Sequence, residues 1–138
     1  MKRVLMAAVA ASALANAAYA DGHGERYVMI THTQGTDPFW PVVEKGGRDA
    51  AAAVGATLEY NFDVSGDMAA MAALIEAAAA SEPDGIIVSL PDADALGPAI
   101  KAAVADGIPV VTMNSGLESS AELGALMHVG QPARDAGE

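Results

Sequence analysis

The sequence predicts an α/β domain built as a doubly wound parallel sheet of Rossmann-like type, and three observations predict it. Short runs of branched apolar residues alternate along the chain with longer amphipathic stretches. The runs are apolar at consecutive positions, as strands covered on both faces must be. With a helical stretch between each pair of strands, right-handed crossovers place helices on both sides of the sheet.

The elements follow in order. Residues 27–31 (YVMIT) read as the first strand. A helix over 39–54 follows, with Phe39, Val42, Val43, Gly46, Gly47, Ala50 and Val54 expected on its buried face and Glu44, Lys45, Arg48 and Asp49 opposite. Gly46 and Gly47 would let that helix approach a sheet closely, at some cost in helix propensity. Gly55 suits the left-handed position that ends a helix. Residues 57–62 form a second strand, and Asp67 can cap a helix over 68–80 whose stripe is Met68, Met71, Ala72, Ile75 and Ala79. The Pro83-Asp84-Gly85 turn precedes a strand at 86–89. Asp92 or Asp94 caps a third helix, which carries Leu96, Ile100, Ala103 and Val104 inward and stops at Gly107. Pro109 leads into a strand at 110–113. A shorter link with a capping-box pattern, Ser119-x-x-Glu122, connects to a final strand at 126–129.

At 138 residues the chain fits one domain, since domains commonly hold roughly 100–200 residues. Aromatic residues are scarce, so Ala, Val, Ile, Leu and Met must build the core. The net charge of −11 repels nucleic acid and anionic lipid, and no basic stretch offsets it. Residues 1–20 form a separate unit: a cationic head (Met1-Lys2-Arg3), an apolar run from 4 to 14 broken by Ser12, and Ala18-Tyr19-Ala20, a small-x-small pattern that signal peptidase accepts. The run is shorter than the roughly 20 residues of a membrane span, so a cleavable signal peptide with cleavage after Ala20 is expected rather than an anchor. The mature chain then keeps five cations against eighteen acids, a net −13, and no direct membrane insertion is expected of it. There is no cysteine, hence no disulfide framework, no catalytic thiol and no site for a lipid anchor at the cleavage point. A soluble periplasmic protein fits these features. The chain ends at Ala136-Gly137-Glu138, where a further helix should begin, so a truncated domain spanning 21–138 is expected.

In open α/β sheets ligands bind outside the carboxyl ends of the strands. That rule selects the loops 34–40, 63–67, 90–94, 114–117 and 130–135, which hold amides, hydroxyls, carboxylates and one aromatic pair. Such a set suits a neutral polar ligand, with carboxylates and amides meeting hydroxyls and an aromatic face meeting C–H surface. Phe39 and Trp40 each admit two readings, core packing beneath the helix or contact with a ligand. Asp37-Pro38 matches a helix start, and an Asp can cap and face a ligand at once. Asn114-Ser115-Gly116 reads equally as a turn or as a binding loop. Asp92 and Asp94 read as caps, and the isolated His32 and His128 as structural residues. No metal-ligand spacing, dinucleotide fingerprint, phosphate loop or nucleophile elbow is present. Neither a cofactor nor catalysis is indicated.

At these loops the sequence resembles the periplasmic binding proteins of sugar ABC transporters, the group that includes ribose-binding protein. The resemblance rests on residues 31–40 (THTQGTDPFW), 83–89 (PDGIIVS), 91–96 (PDADAL), 107–111 (GIPVV), 114–116 (NSG) and 128–131 (HVGQ), in order along nearly all of the mature chain. It implies a two-lobed protein that closes on a sugar or polyol, with residues 21–138 supplying an incomplete N-terminal lobe of the type I fold. It also implies Asp37, Phe39, Trp40, Asn114, Ser115 and Gln131 as ligand-binding residues, an inner-membrane permease as partner, and a monomer when full length. Ribose-type members carry Asp-Arg where this chain has Asn114-Ser115, which cannot make the same bidentate contacts. Relatives also tend to carry acids or amides at the positions of Pro132 and Ala133. Those departures point away from ribose. The alternative function is a periplasmic sensor subunit that presents a sugar to a chemoreceptor or kinase. A transcription regulator of the same fold would need a helix-turn-helix where the signal peptide stands, and a secreted enzyme would need a nucleophile or metal motif.

Overall fold

Strands and helices alternate through the described part of the chain: β1 (Arg26–Thr31), α1 (Phe39–Ala53), β2 (Thr57–Phe62), α2 (Met68–Ala80), β3 (Gly85–Ser89), α3 (Ala93–Ala105), β4 (Val110–Met113), α4 (Leu117–Ser120) and β5 (Met127–Val129). The computed structural model describes residues 24–32, 36–131 and 137. The expected signal peptide, Gln34 and residues 132–135 of the last candidate loop lie outside them. All neighbouring strands run parallel, in the order β2-β1-β3-β4-β5.

That order follows from where the apolar side chains fall. β1 and β3 lie inside the sheet, with Val28, Ile30, Ile86 and Val88 at most 1% exposed. These side chains meet Val110 from β4 and, from α2 and α3, Met71, Ile75, Leu96 and Ile100 in one core without an aromatic residue. Fully burying one such side chain is worth about 1.5–3 kcal/mol. The helices start where their carboxylates accept from free N–H groups. Asp67 Oδ1 accepts from Ala69 and Ala70 at 2.7 and 3.0 Å, and Asp92 Oδ1 accepts from Asp94 and Ala95 at 3.0 Å each. Asp92 is therefore the cap of α3, and Asp94 sits in its first turn.

Two expectations are corrected. The face α1 turns to the sheet is rotated from the stripe read in the sequence: Trp40 and Ala51 are buried, with Val43 and Gly47 half-buried, whereas Phe39, Val42, Ala50 and Val54 are exposed. The apolar arc of α1 is wider than one contact face, and the sheet takes the edge that carries Trp40, the largest side chain. Gly47 shows the closeness of the approach, since a Cβ there would lie 2.6 Å from Leu58 Cδ2 and 2.8 Å from Met29 Cε. A Cβ on Gly46 would meet nothing within 4 Å. Second, Ser119 caps nothing: α4 begins at Leu117, directly after Gly116 turns the chain with φ +85°, and Ser119 lies inside it. Helices lie on both faces of the sheet, as expected, and among the described residues they cover them unequally. One carries α2 and α3, whereas on the other α1 leaves an apolar groove bordered by Ala50, Val54, Ile87, Val111 and Leu126.

Candidate ligand-binding site

The carboxyl ends of β1 and β4 lie on either side of β3, and the segments leaving them meet above its end. His32, Thr36, Asp37, Phe39, Trp40 and Asn114 line an open cavity of about 480 Å³ there. Four of the six residues expected at the site, Asp37, Phe39, Trp40 and Asn114, are thus brought together. Ser115 and Gln131 are not among the lining residues. The Ser115 hydroxyl is buried without a hydrogen-bond partner. The loops 63–67 and 90–94 serve helix starts instead. In the first, Asp63 accepts from the Ser65 hydroxyl and from backbone N–H groups, which holds its carboxyl below the usual range.

Asp37 does two things at once. Its Oδ1 accepts from Phe39 N–H at 2.9 Å, and Pro38 already has helical dihedrals (φ −71°, ψ −10°). The expected Asp-Pro start is present, one residue ahead of the regular helix. A carboxylate has about four acceptor positions, so one used by the backbone leaves others for a ligand.

The two aromatics divide the work in a way the sequence left open. Trp40 is 4% exposed and packs with Met29 and Met113 in a second, smaller core. Phe39 is 48% exposed and stands edge-on to Trp40, with ring centroids 5.0 Å apart. Phe39 therefore supplies the accessible apolar wall, and Trp40 is its buttress as well as part of the lining.

Asn114 is held by its backbone. Its φ of +65° is a left-handed conformation that Asn tolerates better than most residues, and its N–H donates to Val129 O at 2.9 Å. Gly130 lies against this turn, where a Cβ would come within 3.0 Å of Asn114 O and against His128 Nε2. Beneath it, Thr112 Oγ1 joins Ser120 Oγ at 2.6 Å and His128 Nδ1 at 2.9 Å. His128 is structural, as expected.

His32, read from the sequence as a structural residue, also belongs to the cavity lining. It follows β1 directly, lines the cavity, and places its ring edge-on to Trp40 at 5.1 Å. Burial lowers its pKa from 6.5, with Asp37 pulling the other way. Its position at a strand's carboxyl end was the available signal, two residues before the first loop selected. The lining thus offers one carboxylate, one amide, one hydroxyl, an imidazole and aromatic surface. No Lys or Arg is among these residues, so the cavity suits a neutral hydroxylated ligand better than an anion. Among the described residues no group of three His, Asp or Glu is placed to hold a metal ion. No helix among them is long and apolar enough to cross a membrane.

Residues 27–138 match the family model described as a periplasmic binding protein domain. Among solved structures the chain is similar to a carbohydrate transporter from Acidothermus cellulolyticus in complex with myo-inositol. The two are 46% identical, with a TM-score of 0.79 over 83% of this chain and 39% of that one. A sugar-binding protein of a sugar ABC transporter from Bacillus halodurans is 34% identical, with a TM-score of 0.74 over 83% and 38%. A periplasmic ribose ABC transporter from Conexibacter woesei is 32% identical, with a TM-score of 0.75 over 84% and 38%. The chain spans about two-fifths of the length of these relatives. No curated protein matches it significantly. With the fold, the family model and these structures in agreement, the chain belongs to the periplasmic binding protein family, and the solved proteins it resembles include a sugar-binding protein of a sugar ABC transporter and a periplasmic ribose ABC transporter.

Proposed function

We propose that this chain is the N-terminal lobe of the solute-binding component of an ABC transporter, which takes up a sugar or polyol in the periplasm. The observation that carries the reading is the cavity at the ends of β1 and β4, where Asp37, Asn114 and Phe39 combine acceptor, amide and apolar wall without a cation. The relative bound to myo-inositol supports a polyol in particular. Asn114 and Ser115 stand where ribose-type members carry a charged clamp, which argues against ribose. In this reading residues 1–20 direct export and are removed after Ala20, the mature protein is a monomer, and a permease of the inner membrane receives the ligand.

The site is one wall of a cleft. A second lobe closing over it would bury the ligand and strengthen each hydrogen bond by excluding water. The 138-residue chain alone is therefore expected to bind sugars weakly or not at all. The test is calorimetry of the complete gene product, read beyond Glu138, against myo-inositol, ribose, arabinose and galactose, beside the 138-residue chain. Micromolar binding by the complete protein with none by the shorter chain supports the reading, and micromolar binding by the shorter chain refutes the need for a second lobe. Neighbouring permease and ATPase genes would support transport, and a neighbouring chemoreceptor or kinase gene would favour a sensor.

A further inference from the structure

We infer that His32 is itself a ligand-contacting hydrogen-bond donor, held by Ser89 as the tautomer that carries its proton on Nε2 and presented to the cavity beside Asp37. This rests on the sugar-or-polyol reading above and specifies how one wall of that site is built.

The tautomer follows from the hydrogen bonds of a single buried hydroxyl. Ser89 is fully buried at the end of β3. Its Oγ accepts from the backbone N–H of His32 at 3.0 Å and lies 2.7 Å from His32 Nδ1. If Nδ1 carried the ring proton, two donors would point at Oγ. The serine's own proton would then have no acceptor among the described residues, and an unsatisfied buried polar group costs about 1–3 kcal/mol. If Ser89 donates to Nδ1, every group is used: Oγ accepts from the backbone and gives its proton to the ring. The neutral imidazole then has its N–H at Nε2.

The geometry places that N–H where a ligand can reach it. Nε2 makes no hydrogen bond among the described residues, yet it is not one of the buried, unpartnered atoms, which are Ser115 Oγ and His128 Nε2. The side chain is half-buried and lines the cavity. The ring cannot turn freely, because Ser89 holds one edge and Trp40 packs against it. Burial favours the neutral ring, while Asp37, the charged residue among those lining the cavity, opposes it. The cavity thus sets a fixed donor beside a carboxylate acceptor, a pair that addresses two hydroxyls of a polyol. A ligand ammonium at the donor would have no lone pair to offer, so the arrangement selects an oxygen there.

Two measurements on the complete gene product test this. Long-range ¹H–¹⁵N correlation of histidine-labelled protein reports the tautomer, with His32 assigned by its loss in His32→Gln. The expected result is the Nε2–H form, converted to a mixture in Ser89→Ala. An Nδ1–H form in the unsubstituted protein, or an unchanged spectrum in Ser89→Ala, overturns the tautomer. Calorimetry with whichever of myo-inositol, ribose, arabinose or galactose binds best reports the contact. His32→Leu should weaken binding about 10-fold or more, and His32→Gln, whose amide can donate from the Nε2 position, should stay within about 3-fold. Undiminished binding by His32→Leu overturns the contact while leaving the sugar reading intact. Failure of the unsubstituted protein to bind any of the four overturns that reading and the contact together.

Discussion

Two adjacent glycines in α1 offer a direct measurement of how that helix is turned. Replacing a helix-interior glycine with alanine is worth about 0.8–1 kcal/mol from propensity alone. At Gly46 the new methyl meets nothing within 4 Å, so Gly46→Ala should gain that amount, raising Tm by roughly 4 °C for a domain of this size. At Gly47 the same methyl falls 2.6 Å from Leu58 Cδ2 and 2.8 Å from Met29 Cε. Overpacking costs about 1–3 kcal/mol, and both obstructing atoms are the ends of side chains that can give, so a cost of about 1–2 kcal/mol is expected. Subtracting the propensity gain leaves Gly47→Ala neutral to about 1 kcal/mol destabilised. Propensity is common to both variants, so the gap of about 1–2 kcal/mol between them is packing alone. Urea unfolding of the chain without residues 1–20, followed by far-ultraviolet circular dichroism at constant m, reads it directly. Equal stabilisation by both substitutions, or greater damage from Gly46→Ala, would refute the orientation of α1 described above.

Three further outcomes are expected. Gly130→Ala would drive a methyl against His128 Nε2 and Asn114 O, so it should cost about 1–3 kcal/mol of stability and weaken ligand binding by the complete gene product through the Asn114 turn, both visible in one thermal-shift series with and without sugar. Asp92→Ala should destabilise by about 0.5–2 kcal/mol as a lost cap, whereas Asp94→Ala, which removes no capping bond, should cost less than half as much by urea unfolding. Burial lowers the pKa of His32 below its ordinary 6.5, so below that value the unfolded chain takes up the proton more readily than the folded one. Stability should accordingly be intact above pH 6.5 and decline as pH falls through the lowered value, and His32→Gln should flatten that part of the profile.

Much of the fold was legible because its signals are local. The alternation of apolar runs with helical stretches gave the parallel sheet, and Asp67 and the pair Asp92 or Asp94 marked helix starts, with the hydrogen bonds choosing Asp92 of the pair. The errors share one physical origin, since each needed knowledge of what a surface meets. An arc of α1 wide enough to serve two contact faces does not say which face takes the sheet. Phe39 and Trp40, one helical step apart, could not be ranked until Met29 and Met113 were seen to pack around Trp40. Of the candidate site, the two loops that enter the cavity were found by the strand-end rule. His32 was read as structural because its contact with Ser89 spans 57 positions, which no spacing pattern announces.

The strand order also governs when this chain can begin to fold. Of the described strands β1 is synthesised first and lies inside the sheet, yet its bond to the turn before β3, Arg26 N–H to Asp84 Oδ2, spans 58 positions. Among the described residues no strand pairs with a near neighbour through a tight hairpin, so the entropy of closing long loops is met before any ladder is rewarded. Early lengths of the chain thus hold little that could lock. Under the export proposed above, that delay would keep the leading segment threadable until its partners have followed it across.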